Sequence, residues 1–219
     1  MTSALTLKEL RESAGVATLG LAGLGLVALG AAGFSPLGSM FGGGRQAGAI
    51  PFLYDSFSWQ FALAAGALAI ALGLKQSLGD LVGDAQLFLL HRPVSRRAVY
   101  LTKIVVGLSL YLVLAGLAIA IYAIWAASSG THASPFAWSM TVPVWMTWLA
   151  ASLVYLGALL SGIRPGAWVG TRLMPLAAAC ALATIAANLP PVAGLAVALV
   201  AGTSYVALIL FVAETRDFA

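Results

Sequence analysis

Six runs of apolar residues follow one another with short connections between them, over 15–34, 59–74, 104–126, 142–160, 173–187 and 192–212. A spanning helix needs about 20 apolar residues, and in hydrocarbon every backbone polar group must find its partner within the chain, which makes each such run a helix. The expected fold is therefore an all-α integral membrane protein with six transmembrane helices. Composition agrees: 61% of the 219 residues are hydrophobic and 8% are charged, whereas soluble domains carry roughly 25% charged residues. Too little polar chain remains to wrap a large soluble domain. The fifth run is the shortest, and Pro175 falls in its first turn. The string Asn188-Leu189-Pro190-Pro191 makes a tight reversal, because neither proline continues a helix and each disfavours the α conformation in the residue before it. Runs five and six form a hairpin.

The basic residues orient these spans. Six spans put both termini on one side, together with the connections after spans two and four. On that side fall Lys8, Arg11, Lys75, Arg92, Arg96, Arg97, Lys103, Arg164, Arg172 and Arg216, against Arg45 alone on the other. Cytoplasmic flanks carry the excess of Lys and Arg, so both termini are expected in the cytoplasm, in a multi-pass protein of a bacterial inner membrane. The same distribution accounts for the net charge of +4 through contacts with anionic lipid, and no nucleic-acid partner is expected. Glu9 and Glu12 interrupt the basic residues Lys8 and Arg11, and the apolar stretch after them is long, so the first run reads as a retained span and not as a cleaved signal.

Two polar segments stand out on the basic side. At the amino-terminal end, Thr6 and Glu9 have the spacing of a capping box, with Leu5 and Leu10 as the flanking hydrophobic pair. Over about 5–14, Leu7, Leu10 and Ala14 share one face while Lys8, Glu9, Arg11 and Glu12 occupy the rest, which suits a short helix lying in the interface, the alternative being the solvated first turns of span one. The second segment is 75–103. From Leu78 onward, Leu81, Val82, Ala85 and Leu89 recur at helical spacing, with Asp80, Asp84 and Gln86 on other faces. Pro93 limits this helix, Ser95 can cap the next one, and Arg96, Arg97 and Lys103 are expected to hold the start of span three at the interface.

The string Leu87-Phe88-Leu89-Leu90-His91-Arg92-Pro93-Val94-Ser95-Arg96-Arg97, running on to Lys103 and Gly107-Leu108, resembles the cytoplasmic loop of type 2 ATP-binding-cassette (ABC) exporter permeases. Leu7-Lys8-Glu9-Leu10-Arg11-Glu12 resembles the elbow helix of the same family, and the six-span plan covers the rest of the chain. Family members often carry a Glu-Arg-Glu-x-Gly-Thr string where this chain has Asp80 to Asp84. The resemblance implies an elbow helix with Thr6, Lys8, Glu9 and Arg11, and a coupling helix between spans two and three that docks on a separate cytoplasmic nucleotide-binding ATPase subunit. In that role Leu81, Ala85 and Phe88 would fill a groove and Asp80, Asp84, Arg92 and Arg96 would pair at its rim, with Pro93, Ser95 and Arg97 in the same coupling stretch. It also implies a second permease copy or a similar chain as partner, with ATP and magnesium on the ATPase subunit.

Other chemistries find little purchase. No G-x-x-x-x-G-K-[ST] loop is present to cradle phosphates, since Gly42-Gly43-Gly44 is followed by Arg45, so the chain is not expected to be an enzyme or to bind a cofactor of its own. The single Cys180 and the separated His91 and His132 offer no zinc spacing. Tyr54-Asp55 and Gly79-Asp80 echo the pairs of intramembrane aspartyl peptidases, but the topology sets the two acids a bilayer apart. No acid or base is expected well inside a span, which disfavours proton-coupled transport. The hydroxyls of Ser109, Tyr111, Thr147, Ser152, Tyr155, Thr184, Thr203, Ser204 and Tyr205 are expected mainly to bond between helices. An apolar or lipid-like cargo fits such walls, as does a cargo-free role transmitting ATP-driven motion; a non-transporting membrane scaffold is the other class. Small residues repeat at four-residue spacing as Ala65, Ala69 and Gly73, and as Gly194, Ala198 and Gly202, which predicts close helix packing.

Overall fold

The computed structural model describes residues 2–34, 50–53, 56–79, 95–132, 135–167 and 171–215, and these are helical with no strand among them. The helices are α1 (Thr2–Ala31), α2 (Phe57–Leu78), α3 (Arg96–Ala127), α4 (Val142–Ile163), α5 (Met174–Asn188) and α6 (Pro191–Thr215), with a 3-10 turn at Trp138–Thr141 leading into α4. Five of them, all but α5, are long and apolar enough to cross a membrane. At 15 residues, α5 reaches about 22 Å at 1.5 Å per residue, short of a hydrocarbon core of about 30 Å.

Neighbouring contacts fix the helix directions. Glu9 of α1 meets Lys103 near the start of α3, and Gly20 of α1 lies against Leu68 in the body of α2, so α1 runs with α3 and against α2. Tyr111 of α3 reaches Trp148 of α4, while Gly107 of α3 faces Tyr155; these two helices are antiparallel. Tyr205 of α6 bonds Pro175 at the start of α5 and Gly194 faces Ala186, which closes the hairpin expected from Asn188 to Pro191. The helices therefore alternate in direction. As a result the described basic residues Lys8, Arg11, Lys75, Arg96, Arg97, Lys103, Arg164 and Arg172 all belong to the same end of the bundle.

The centre of the bundle is α4. It packs against α2, α3, α5 and α6, and every residue from Leu153 to Ile163 is buried. The expected small-residue stripes explain how helices come so close: a Cβ at Gly73 would stand 2.6 Å from the Tyr155 carbonyl oxygen and 2.9 Å from the Leu159 amide nitrogen. Ala65, Ala69 and Gly73 are buried against neighbouring helices, as are Gly194 and Ala198, and Gly202 is half-buried. Helix α1, by contrast, packs mainly on α2 and α3 and buries the smallest share of its length among the five long helices. At the other end of the bundle from the basic residues, Phe52 is held at φ 67°, packed between Phe57 and Tyr122. Ser58 Oγ donates to its carbonyl at 2.9 Å.

Two expectations change here. The amino-terminal segment is not a separate elbow helix, because α1 is continuous from Thr2 to Ala31. Thr6 is accordingly a residue inside the helix and not its cap, and the capping box with Glu9 does not form the helix start. The loop 75–103 is also shorter than expected: Lys75 to Leu78 complete α2, and Arg96 to Lys103 are already the first two turns of α3.

Candidate functional site

The buried stripe of α3 carries Tyr100, Lys103, Ile104, Gly107 and Tyr111 toward the other helices. That places a lysine on an inward face, and Lys103 is 1% exposed. It was expected to anchor the helix start at the interface; the alternation of buried positions turns it inward instead. On α1 the buried positions Glu9, Ser13 and Ala17 recur every fourth residue, so Glu9 and Ser13 share one face one turn apart. The Lys103 ammonium lies 3.0 Å from Glu9 Oε1 and 3.3 Å from Glu9 Oε2, and it donates to the Gln76 carbonyl oxygen at 3.0 Å. Its charge is thus met by a carboxylate from α1 and a backbone acceptor in the last turn of α2. Glu9 and Lys103 both stand within the first two turns of their helices, so the pair is buried at the basic end of the bundle.

Tyr155 of α4 completes the arrangement. Its hydroxyl lies 2.6 Å from Gln76 Oε1 and 3.0 Å from the Lys103 carbonyl oxygen, and one hydrogen cannot serve both acceptors. Turning the Gln76 amide over resolves this, since Nε2 then donates to Tyr155 Oη and Tyr155 donates to Lys103; which amide atom is which is an assignment from such bonding. Gly107 makes the crossing possible, because a Cβ there would overlap both the Tyr155 hydroxyl and the Gln76 amide. Four helices are tied at this point by charged or buried hydrogen bonds. Beside it, Ser13 Oγ and the Gln76 side-chain amide atom turned away from Tyr155 are buried without a hydrogen-bond partner, a condition rare enough in folded proteins to call for an explanation.

A second tie lies at the same end. Arg172 donates from Nε to the Ser161 carbonyl at 3.1 Å and from its terminal Nη2 to the Gly162 carbonyl at 2.7 Å, satisfying last-turn carbonyls of α4 that have no partner within the helix. Ser161 Oγ in turn accepts from the Leu176 amide at 3.1 Å in the first turn of α5. Arg172 and Ser161 thereby join the last turn of α4 to the first turn of α5. Arg172→Ala is expected to lower stability by about 1–3 kcal/mol, because it leaves two carbonyls short of a charged donor. Arg172→Lys should recover only part of this, since an ammonium cannot span both acceptors from one position. Denaturant titration in detergent micelles checks both.

Of the residues expected to form the ATPase-facing surface, Asp80, Leu81, Asp84, Ala85, Phe88, Arg92 and Pro93 lie outside the described residues. Ser95 is where expected: it is the N-cap of α3, its Oγ accepting from the Ala98 amide at 3.3 Å. Arg97 is exposed and Arg96 half-buried on the first turn of α3. Lys8 pairs with Glu12 at 3.5 Å on the outer face of α1, and Arg11 is exposed there. The hydroxyls divide by residue type. Thr147, Ser152, Thr184, Thr203 and Ser204 bond carbonyls of their own helices. Tyr111, Tyr155 and Tyr205 reach across to other helices.

Gln76, Ser13 and the inward turn of Lys103 were missed by sequence reasoning. A signal existed: Gln76 extends the Ala65-Ala69-Gly73 face by one further turn, and Lys103 stands one turn before Gly107 and two before Tyr111. Among the described residues no group of three His, Cys, Asp or Glu side chains converges as a metal site would need. No family model, no curated protein and no solved structure matches this chain.

Proposed function

We propose that this chain is the membrane-spanning permease subunit of an ABC exporter complex, driven by a separate cytoplasmic ATPase subunit. In this reading the six alternating helices are six spans, with α5 as a short one, and the end carrying the basic residues faces the cytoplasm. The observation that carries the reading is the string from Leu87 to Lys103, which resembles the coupling loop of that family. Its flanks give the resemblance a mechanical basis. The helices on either side of the loop meet where Lys103 bonds the Gln76 carbonyl, and the same lysine holds Glu9 of α1 while Tyr155 brings in α4. A force applied to the loop reaches four helices through one joint. The apolar bundle walls favour a lipid-like cargo or the transmission of motion to an outer partner, and a dimer of permease chains would provide the pathway between subunits.

Purification of the full chain from its native membrane tests the reading. A cassette ATPase is expected to accompany it, and charge reversal at Asp84 or Arg96 should lower the ATPase activity of the complex several-fold without lowering the amount of permease in the membrane. An isolate without an ATPase, or an ATPase indifferent to both reversals, would sink the proposal.

A further inference from the structure

The polar joint has a physical property that its role as a tie does not require. Removing two charges from water is expensive, and a buried ion pair is often no more stable than an apolar pair of the same size. Here the cost is compounded, since Ser13 Oγ and the Gln76 side-chain amide atom turned away from Tyr155 are buried beside the pair without partners. Every one of these groups would gain water if the joint parted. The helix that would have to move is also sparsely buried: α1 packs mainly on α2 and α3, through a narrow seam of Glu9, Ser13, Ala17, Leu24, Ala28 and Ala32. Beyond Ser13 this seam is mostly alanine, which gives close contact but little apolar area.

We propose that the Glu9–Lys103 joint is a hydratable latch, which lets the basic end of α1 swing away from α2 and α3 and admits water to Ser13 and Gln76. An apolar joint at the same place would stay shut, because nothing in it gains from hydration. The polar joint brings a closed state and an open, wetted state close in free energy, so that a modest bias applied at this end shifts the population between them. The groups that face the pair are consistent with such an exchange. Lys8 lies 4.0 Å from Glu9 Oε1 and is partly exposed, so the carboxylate keeps a cation within reach when Lys103 withdraws. The proposal stands on the joint itself and not on the ATPase partner.

Thiol accessibility tests it in the full chain, in membranes made permeable to a charged maleimide, after Cys180→Ala removes the native thiol. Ser13→Cys, at a site with no exposed surface in the closed state, is expected to react at least about tenfold faster than Ala69→Cys, which is equally buried but lies in the α2–α4 interface. Adding Glu9→Leu together with Lys103→Met should slow the reaction at position 13 about tenfold or more and leave position 69 protected. Reaction at 13 no faster than at 69 in the parent would overturn the latch. So would an apolar pair that leaves the rate at 13 unchanged or raises it.

Discussion

Glu9→Gln lowers the stability of the folded bundle by about 3–5 kcal/mol, the expected result of leaving the Lys103 charge buried without its counter-ion. Lys103→Met is expected to do comparable damage, since the Glu9 carboxylate, at the same depth, would then lack its nearest cation. The double variant Glu9→Leu/Lys103→Met should instead fall within about 1–2 kcal/mol of the parent, because no charge is left to be desolvated. Its remaining deficit is the Gln76 carbonyl, which loses the donor now 3.0 Å away, a loss of about 1–3 kcal/mol set against the gain from an apolar joint. Thermal or denaturant unfolding in one detergent, followed by the fluorescence of the half-buried tryptophans Trp125, Trp145 and Trp148, measures all four proteins. The informative quantity is the departure from additivity: the double variant must be less destabilised than either single change. Additive losses would mean that Glu9 and Lys103 do not meet.

What the sequence made legible follows from period and polarity. Apolar runs separated by prolines and charges mark helix ends well, so α4, α5 and α6 begin within a residue or two of the expected positions. Ser95 and the reversal at Asn188 to Pro191 were readable because cap and proline chemistry is local. The failures share a cause. A lysine or glutamate at the end of an apolar run looks alike whether it turns to the interface or to a neighbouring helix, and only the tertiary partner decides. Thr6 and Glu9 matched a local capping pattern, yet Glu9 is buried against Lys103, 94 positions away in sequence. A long-range ion pair outweighed a short-range signature worth about 1 kcal/mol. The joint around Gln76 and Tyr155 depends in addition on Gly107, whose absent side chain can be read as a site only when both facing helices are known.

Glycine substitutions in α2 separate packing from propensity, and they carry the second large expected effect. Gly66 has no atom within 4 Å of where a Cβ would stand, so Gly66→Ala removes a flexible residue from a helix at no steric cost. It should be neutral or stabilise by up to about 1 kcal/mol. Gly73, two turns later, meets the backbone of α4: a Cβ would lie 2.6 Å from the Tyr155 oxygen, 2.7 Å from the Ala158 Cβ and 2.9 Å from the Leu159 nitrogen. Neither helix backbone can step aside as a flexible side chain would, so Gly73→Ala is expected to destabilise by about 1–3 kcal/mol and Gly73→Val by more. The damage should also spread. Forcing α2 from α4 lengthens the Tyr155 to Gln76 contact one turn away, which at 2.6 Å has no slack, and strips α3 of the Lys103 bond to the Gln76 carbonyl. Gly73→Val should therefore also raise the thiol reactivity of Ser13→Cys on α1, although residue 73 itself packs on α4. A Gly73→Val protein with parental stability would show that α2 and α4 do not pack in this register, and the joint built on that packing would go with it.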